Sequence, residues 1–297
     1  MPELPDLTMY LEALDARTRG HTLERVTAVS PFVVRSVEPP FSALAGRSPL
    51  SFALIGKRLV VGFEGDLFLV MHLMVSGRLQ WHTTRPKIHR RLMMAVFDFP
   101  AGTLVLTEAG TKRRASIYVV RGAAALEQFA HGGLDPMAVT DTQFAARVRS
   151  ENHTLKRTLT DPRLFSGIGS VYADEILHRA RLSPVRWSSQ ITDAELATLY
   201  AAMRGSLVES TSHLRAELQG AWPAHLTAGH DGMSVHDKSG KPCPVCGASV
   251  QRFRYDDAET HYCAQCQTGG TRLAGRTLSR LLKDNWPRDL DLIEGEG

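Results

Sequence analysis

Cys243, Cys246, Cys263 and Cys266 are the only cysteines in 297 residues, and they form two C-x-x-C pairs separated by 16 residues. A disulfide framework would spread its cysteines along the chain; two knuckles at this spacing instead bring four thiolates around one tetrahedral Zn²⁺. With every coordination position filled by thiolate the metal has no open site, so its role is structural. The flanking segments SVQRFRY and THYC read as the arms of a β-hairpin carrying the knuckles. Arg252 and Arg254 on that hairpin face outward, towards phosphates or plain water.

The 242 residues before the first cysteine must build their own cores. At 43% hydrophobic and 22% charged the chain can do so, and its length suits two or three domains. The net charge of +4 suits a polyanionic partner without demanding one. Basic residues cluster at Lys57–Arg58, Arg85–Arg91, Lys112–Arg114, Lys156–Arg157 and Arg272–Lys283, a distribution that a phosphate-tracking groove or several solvated faces would both explain. No apolar run reaches bilayer length, and MPELPDLTMYLEAL lacks the basic-then-apolar pattern of a secretory signal. The expectation is a cytoplasmic, monomeric protein with no membrane partner.

Apolar positions Leu7, Tyr10, Leu11 and Leu14 have helical spacing, so a helix over 6–18 starts almost at the N-terminus. Residues 58–80 are β-rich and broken at Gly62–Gly65 and Gly77, and further strands are expected at 92–99, 103–107 and 117–120. Gly132–Pro136 reads as a linker. Beyond it, Thr140 or Asp141 caps a helix to about Ser150, and Thr192–Glu195 forms a capping box before another. Residues 219–240, rich in Gly, His and Pro, read as a mobile loop; a basic helical stretch at 276–286 precedes an acidic end.

Pro2 follows the initiating methionine. Once Met1 is removed it offers a secondary amine that can form an iminium with an aldehydic sugar carbon, with Glu3 beside it as acid or base. Many chains begin Met-Pro, so PELP alone is equally a rigid start. Together with the GKR at 56–58, HLMVSG at 72–77, GLDPM at 133–137 and LTDPRLFSGIGSVYADEIL at 159–177, followed by the ribbon, the chain resembles the formamidopyrimidine-DNA glycosylase/endonuclease VIII family over most of residues 2–267.

That resemblance implies an α+β multidomain fold: an N-terminal β-sandwich with flanking helices over 1–131, a helix–two-turn–helix bundle over 132–235, a zinc-ribbon β-hairpin over 236–270, and a C-terminal extension over 271–297. It implies a bifunctional DNA glycosylase/AP lyase of base excision repair. Such an enzyme removes oxidised bases from damaged double-stranded DNA through a Schiff base on Pro2 and cuts the strand by β,δ-elimination, working at the nucleoid. The other reading is a damage- or structure-specific DNA-binding protein of the same fold that has lost turnover. Carried over, Pro2 is the nucleophile, Glu3 the general acid/base and Lys57 the assisting cation, which its place after Gly56 makes exposed. His72 and Lys156 match DNA-backbone positions, and Gly167-Ile168-Gly169 lets a phosphate approach the helix that follows. Extruding the nucleotide leaves a hole for wedge side chains, for which Met74 and Val75 are candidates; Arg114 matches the arginine that meets the orphaned base.

The chain departs from the family at several points. Ser170 stands where the motif carries asparagine, and Ala258 where the hairpin carries a phosphate-clamping arginine, a role left to Arg252 or Arg254. Ala115 replaces an aromatic, and Asp6 is a methylene shorter than the common glutamate. These changes leave the lesion, whether 8-oxopurine or oxidised pyrimidine, unassigned.

Overall fold

The structure is a computed structural model that describes residues 1–109, 113–224, 226, 228–229, 231–255 and 258–273. It divides into two compact units: Met1–His131 with Val208–Ala228, and Gly132–Leu207 with Gly229 onward. One division falls at His131/Gly132 and another within a helix at Leu207/Val208, after which the segment to Ala228 belongs to the first unit.

The first unit opens on α1 (Leu4–Thr18), where Glu3 is the N-cap and forms a reciprocal capping box with Asp6, and Pro5 sits in the first turn, where no amide partner is missed. Its buried face carries Leu7, Tyr10 and Leu14. Eight strands follow: β1 (Arg25–Ala28), β2 (Pro49–Ile55), β3 (Arg58–Phe63), β4 (Leu67–His72), β5 (Gly77–His82), β6 (Met93–Phe99), β7 (Gly102–Glu108) and β8 (Ser116–Arg121). They form two antiparallel four-stranded sheets, ordered β1-β6-β7-β5 and β2-β3-β4-β8. Alternation explains the core: Leu59, Val61, Leu69, Met71, Ile117 and Val119 from one sheet join Leu79, Ala95, Phe97, Leu104 and Leu106 from the other. The intervening Val60, Val70 and Val120 pack outward against Phe129.

Two expectations for 58–80 change. Gly62 lies inside β3, where Phe68 and Ser51 leave no room for a Cβ, and the break comes at Glu64–Asp66. The second break, at 73–76, is where the chain leaves one sheet for the other. The strands β1 and β2 escape sequence reading because they are short, or mix Pro and Ser with apolar residues.

Nor do the described residues of the 219–240 segment all lie loose. The Trp222 indole N–H donates to the Leu79 carbonyl at 2.9 Å, and its ring meets Tyr10 and Trp81 at centroid distances of 6.1 and 5.9 Å. Further on, the Glu175 carboxylate accepts the backbone N–H groups of Ser234, Val235 and His236.

The second unit contains α2 (Asp141–Arg149), α3 (Leu155–Thr160), α4 (Ser170–Arg179) and the start of α5 (Asp193–Leu218), then the hairpin β9 (Val250–Tyr255) and β10 (Ala258–Cys263), and α6 (Ala264–Thr268). Thr140 caps α2 with Gln143 in return, and Thr192 and Glu195 do the same for α5. Phe144 packs on Phe165 and Tyr200 at the centre of this bundle. The expected basic helix at 276–286 lies outside the described residues. Among the described residues no helix is long and apolar enough to cross a membrane.

Candidate active site and zinc centre

The start of α1 and the β2–β3 turn together build a compact charged cluster around the N-terminus. Glu3 is only 3% exposed, and its backbone N–H donates to Asp6 Oδ2 at 2.9 Å. Pro2 is buried beside it, with Met1 still attached. Burial is the largest influence on the terminal ammonium and lowers its pKa below that of an ordinary chain end; Glu3 opposes this, Arg78 and Lys57 add to it, and Asp6 opposes it. The group so shifted is the amine of Met1, one residue before Pro2.

Lys57 does not stand exposed as the sequence suggested. It is half-buried on the turn after Gly56, which has φ +62°, and desolvation lowers its pKa while Glu3 and Asp6 hold it up. The adjacency of carboxylates explains why a cation is tolerated there. Burial pushes Asp6 up to about 6, and its Oδ1 has no partner among the described residues. Arg78, which sequence reading passed over, donates to the carbonyls of Val75 and Gly77 and thereby ties the cluster to the 73–77 turn.

That turn carries the wedge candidates. Val75 is 65% exposed; Met74 is half-buried at φ +55°. The Met74 N–H donates to His72 Nδ1 at 3.2 Å, which places the imidazole proton on Nε2. Burial, then Arg58, Lys57 and His131, lower the His72 pKa to about 4, so His72 offers a neutral N–H rather than a charge. Arg114 is exposed, and Ala115 is buried in the main core.

In the second unit, several expected DNA contacts are engaged within the protein. Lys156, matched to a backbone contact, is 8% exposed, and its ammonium donates to Asp174 Oδ1 at 2.7 Å and to the Glu259 carbonyl at 2.6 Å. The Ser170 hydroxyl donates to the same carbonyl at 3.1 Å. Both side chains therefore join α3 and α4 to the hairpin. Asp174, wholly buried, also accepts from His236 Nδ1 and the His261 N–H, an arrangement that a motif search could not reveal because its partners lie 62 and 87 residues away. Arg252 and Arg254 do face outward, at 59% and 77% side-chain exposure, and both lie against the Glu259 carboxylate. Gly169 is the N-cap of the ten-residue helix α4, and Gly167 takes φ +79° in the turn that opens it.

The four cysteine sulfurs lie within 4.8 Å of one another, with Cys246–Cys263 at 3.4 Å and Cys243–Cys266 at 3.9 Å. Tetrahedral Zn–S bonds of about 2.3 Å require sulfurs roughly 3.8 Å apart, so the set fits one zinc ion. His178, 4% exposed, sets its Nε2 3.2 Å from the Cys243 sulfur and can hydrogen-bond that ligand.

Comparison with known proteins covers the same three regions. Residues 1–114 match the formamidopyrimidine-DNA glycosylase N-terminal domain, residues 133–215 the formamidopyrimidine-DNA glycosylase H2TH domain, and residues 240–269 the zinc finger found in FPG and IleRS. The formamidopyrimidine-DNA glycosylase of Roseiflexus sp. is 31% identical over 279 residues, covering 90% of this chain and 100% of its own. That of Thermus thermophilus is 32% identical over 289 residues, covering 91% and 100%. An uncharacterized formamidopyrimidine-DNA glycosylase-like protein of Mycobacterium tuberculosis is 38% identical over 152 residues, covering 51% of this chain and 94% of its own. Among solved structures, Lactococcus lactis Fpg in complex with abasic-site DNA superposes with a TM-score of 0.79 at 22% identity, over 90% of this chain and 99% of that one. The cysteine cluster and the matching zinc-finger domain together assign one structural zinc.

Proposed function

The chain belongs to the formamidopyrimidine-DNA glycosylase family, and from that premise we propose that Pro2, Glu3 and Lys57 carry its chemistry. It is a DNA glycosylase of base excision repair, and AP lyase activity is typical of the family. The observation that supports the residue assignment is that Pro2 and Glu3 are buried together at the start of α1, with Lys57 close enough to feel the Glu3 and Asp6 carboxylates.

With Met1 removed, the Pro2 nitrogen attacks C1′ of a damaged nucleotide; the N–C1′ bond forms and the glycosidic bond breaks, the base leaving with a proton. Glu3 gives a proton to the ring oxygen as the sugar opens to the iminium. Loss of a C2′ proton then expels the 3′ phosphate, and a second elimination expels the 5′ phosphate. Lys57 and Arg78 supply positive charge beside these phosphates. Zn²⁺ supplies no chemistry to these steps; the ribbon it folds presents Arg252 and Arg254 to the DNA backbone. Val75, Met74 and Arg114 fill the duplex where the nucleotide has left it. His72 and the first amides of α4, after Gly169, contact phosphates. DNA as substrate puts this work at the nucleoid.

Borohydride trapping on an abasic-site duplex tests the assignment. The protein should crosslink through Pro2, and Pro2→Gly should lower trapping by about 100-fold or more. Binding without trapping on abasic, 8-oxoguanine and thymine-glycol duplexes would favour instead a damage-binding protein without turnover. The engagement of Ser170, Arg252 and Arg254 by the hairpin itself is the feature that speaks for that second reading.

A further inference from the structure

Two connections cross between the sheets of the first unit at the same end. One leaves β4 at His72 and enters β5 at Gly77; the other leaves β7 at Glu108 and enters β8 at Ser116. Strand register fixes their feet side by side, because His72 pairs with Ser116 and Gly77 pairs with Glu108. The first connection carries Met74 and Val75, and the second carries Arg114.

Glu108 stands where the two meet and is 1% exposed. Its Oε1 accepts the Ser76 hydroxyl at 3.3 Å and the Arg114 N–H at 3.0 Å; its Oε2 accepts the Ala115 N–H at 3.1 Å. One buried carboxylate thus receives donors from both connections. A buried carboxylate is costly unless its oxygens are well supplied, and these three donors provide that supply. Neutral side chains would serve less well: an amide has a single acceptor oxygen and would turn N–H bonds against N–H donors. The rest of the first connection is held independently, by Met74 N–H on His72 and Gly77 N–H on the Leu73 carbonyl at 2.9 Å. What Glu108 adds is the tie between the two.

We propose that Glu108 is a positioning residue that locks these two connections in register, so that Val75 and Arg114 enter the duplex together. This rests on the reading of those side chains as the ones that fill the vacated space. Glu108 touches no reacting atom; it makes insertion of a wedge and engagement of the orphaned base a single event.

The test uses the full-length, zinc-loaded protein and Glu108→Gln, with Glu108→Asp as a second variant whose shorter reach spares one of the two ties. Hydrogen exchange at the Arg114 and Ala115 amides should accelerate about tenfold or more in Glu108→Gln. The ratio of borohydride trapping on an abasic site in duplex to that in single strand, where nothing needs filling, should fall about tenfold. A double variant, Val75→Ser with Arg114→Ala, should lower the same ratio. Unchanged amide exchange in both Glu108 variants overturns the proposal. So does faster exchange with an unchanged ratio, provided the double variant lowers it. If the double variant itself leaves the ratio unaltered, the reading of Val75 and Arg114 has failed and the proposal falls with it.

Discussion

At the scale of single residues, Asp6 and Lys156 show how burial redirects a charged group. The Asp6 carboxyl, raised by burial from 3.8 to about 6, binds its proton more tightly in the folded than in the unfolded chain. Its contribution to stability is therefore present in full below about pH 4 and is lost as pH rises through 6. Asp6→Asn keeps an acceptor for the Glu3 N–H and removes this loss, so denaturant unfolding should find the variant gaining on the natural protein by roughly 2–3 kcal/mol between pH 4 and 7. Lys156 was legible only as a cation in a DNA-binding motif; its partners, Asp174 and the Glu259 carbonyl, lie on elements distant in sequence. Lys156→Met leaves a buried carboxylate short of its counter-ion and should cost about 3–5 kcal/mol. The slope of log affinity against log salt should stay the same, whereas loss of a phosphate contact would reduce it by about 1. The zinc-binding cysteines were readable because their meaning lies in spacing along the chain, and the proposal for Pro2 and Glu3 draws on the same kind of signal. Glu108, Asp174 and Arg78 were not, because each takes its role from backbone groups or charges that only folding brings near.

Elements were read best where periodicity is strong. The helix at the N-terminus, the capped helices α2 and α5 and the strands β6 to β8 all fall close to where apolar spacing put them. Short strands and crossings between sheets lack that signal, so the 58–80 run could not be assigned to two sheets from its letters alone. The turn at 73–77 is the tightest of these crossings. A Cβ on Gly77 would come within 2.2 Å of the Leu73 carbonyl oxygen, so Gly77→Ala must displace backbone rather than a side chain. It should destabilise the protein by about 1–3 kcal/mol, seen as a lower midpoint in urea. Its larger effect should be on DNA: Val75 and Met74 would be presented differently, and duplex trapping should fall more than single-strand trapping.

For the whole molecule, the chain is shared between two units that each take two separate stretches of it. α5 runs from Asp193 to Leu218, and its division at Leu207/Val208 puts one end in each unit. A fragment ending at residue 131 lacks Trp222, which closes the core over Tyr10 and Trp81. Such a fragment should melt at lower denaturant than the first unit does in the intact chain, and with greater binding of a hydrophobic dye; equal midpoints would mean that the returning segment contributes little. The position of Trp222 also sets a timetable. On the ribosome the last strand of the two sheets, ending at Arg121, precedes Trp222 by about 100 residues, and at about 5–20 residues per second that interval is roughly 5–20 s. Through it the aromatic seat formed by Tyr10 and Trp81 stands uncovered. The first unit therefore gains this cover only after the chain of the second unit has begun to emerge.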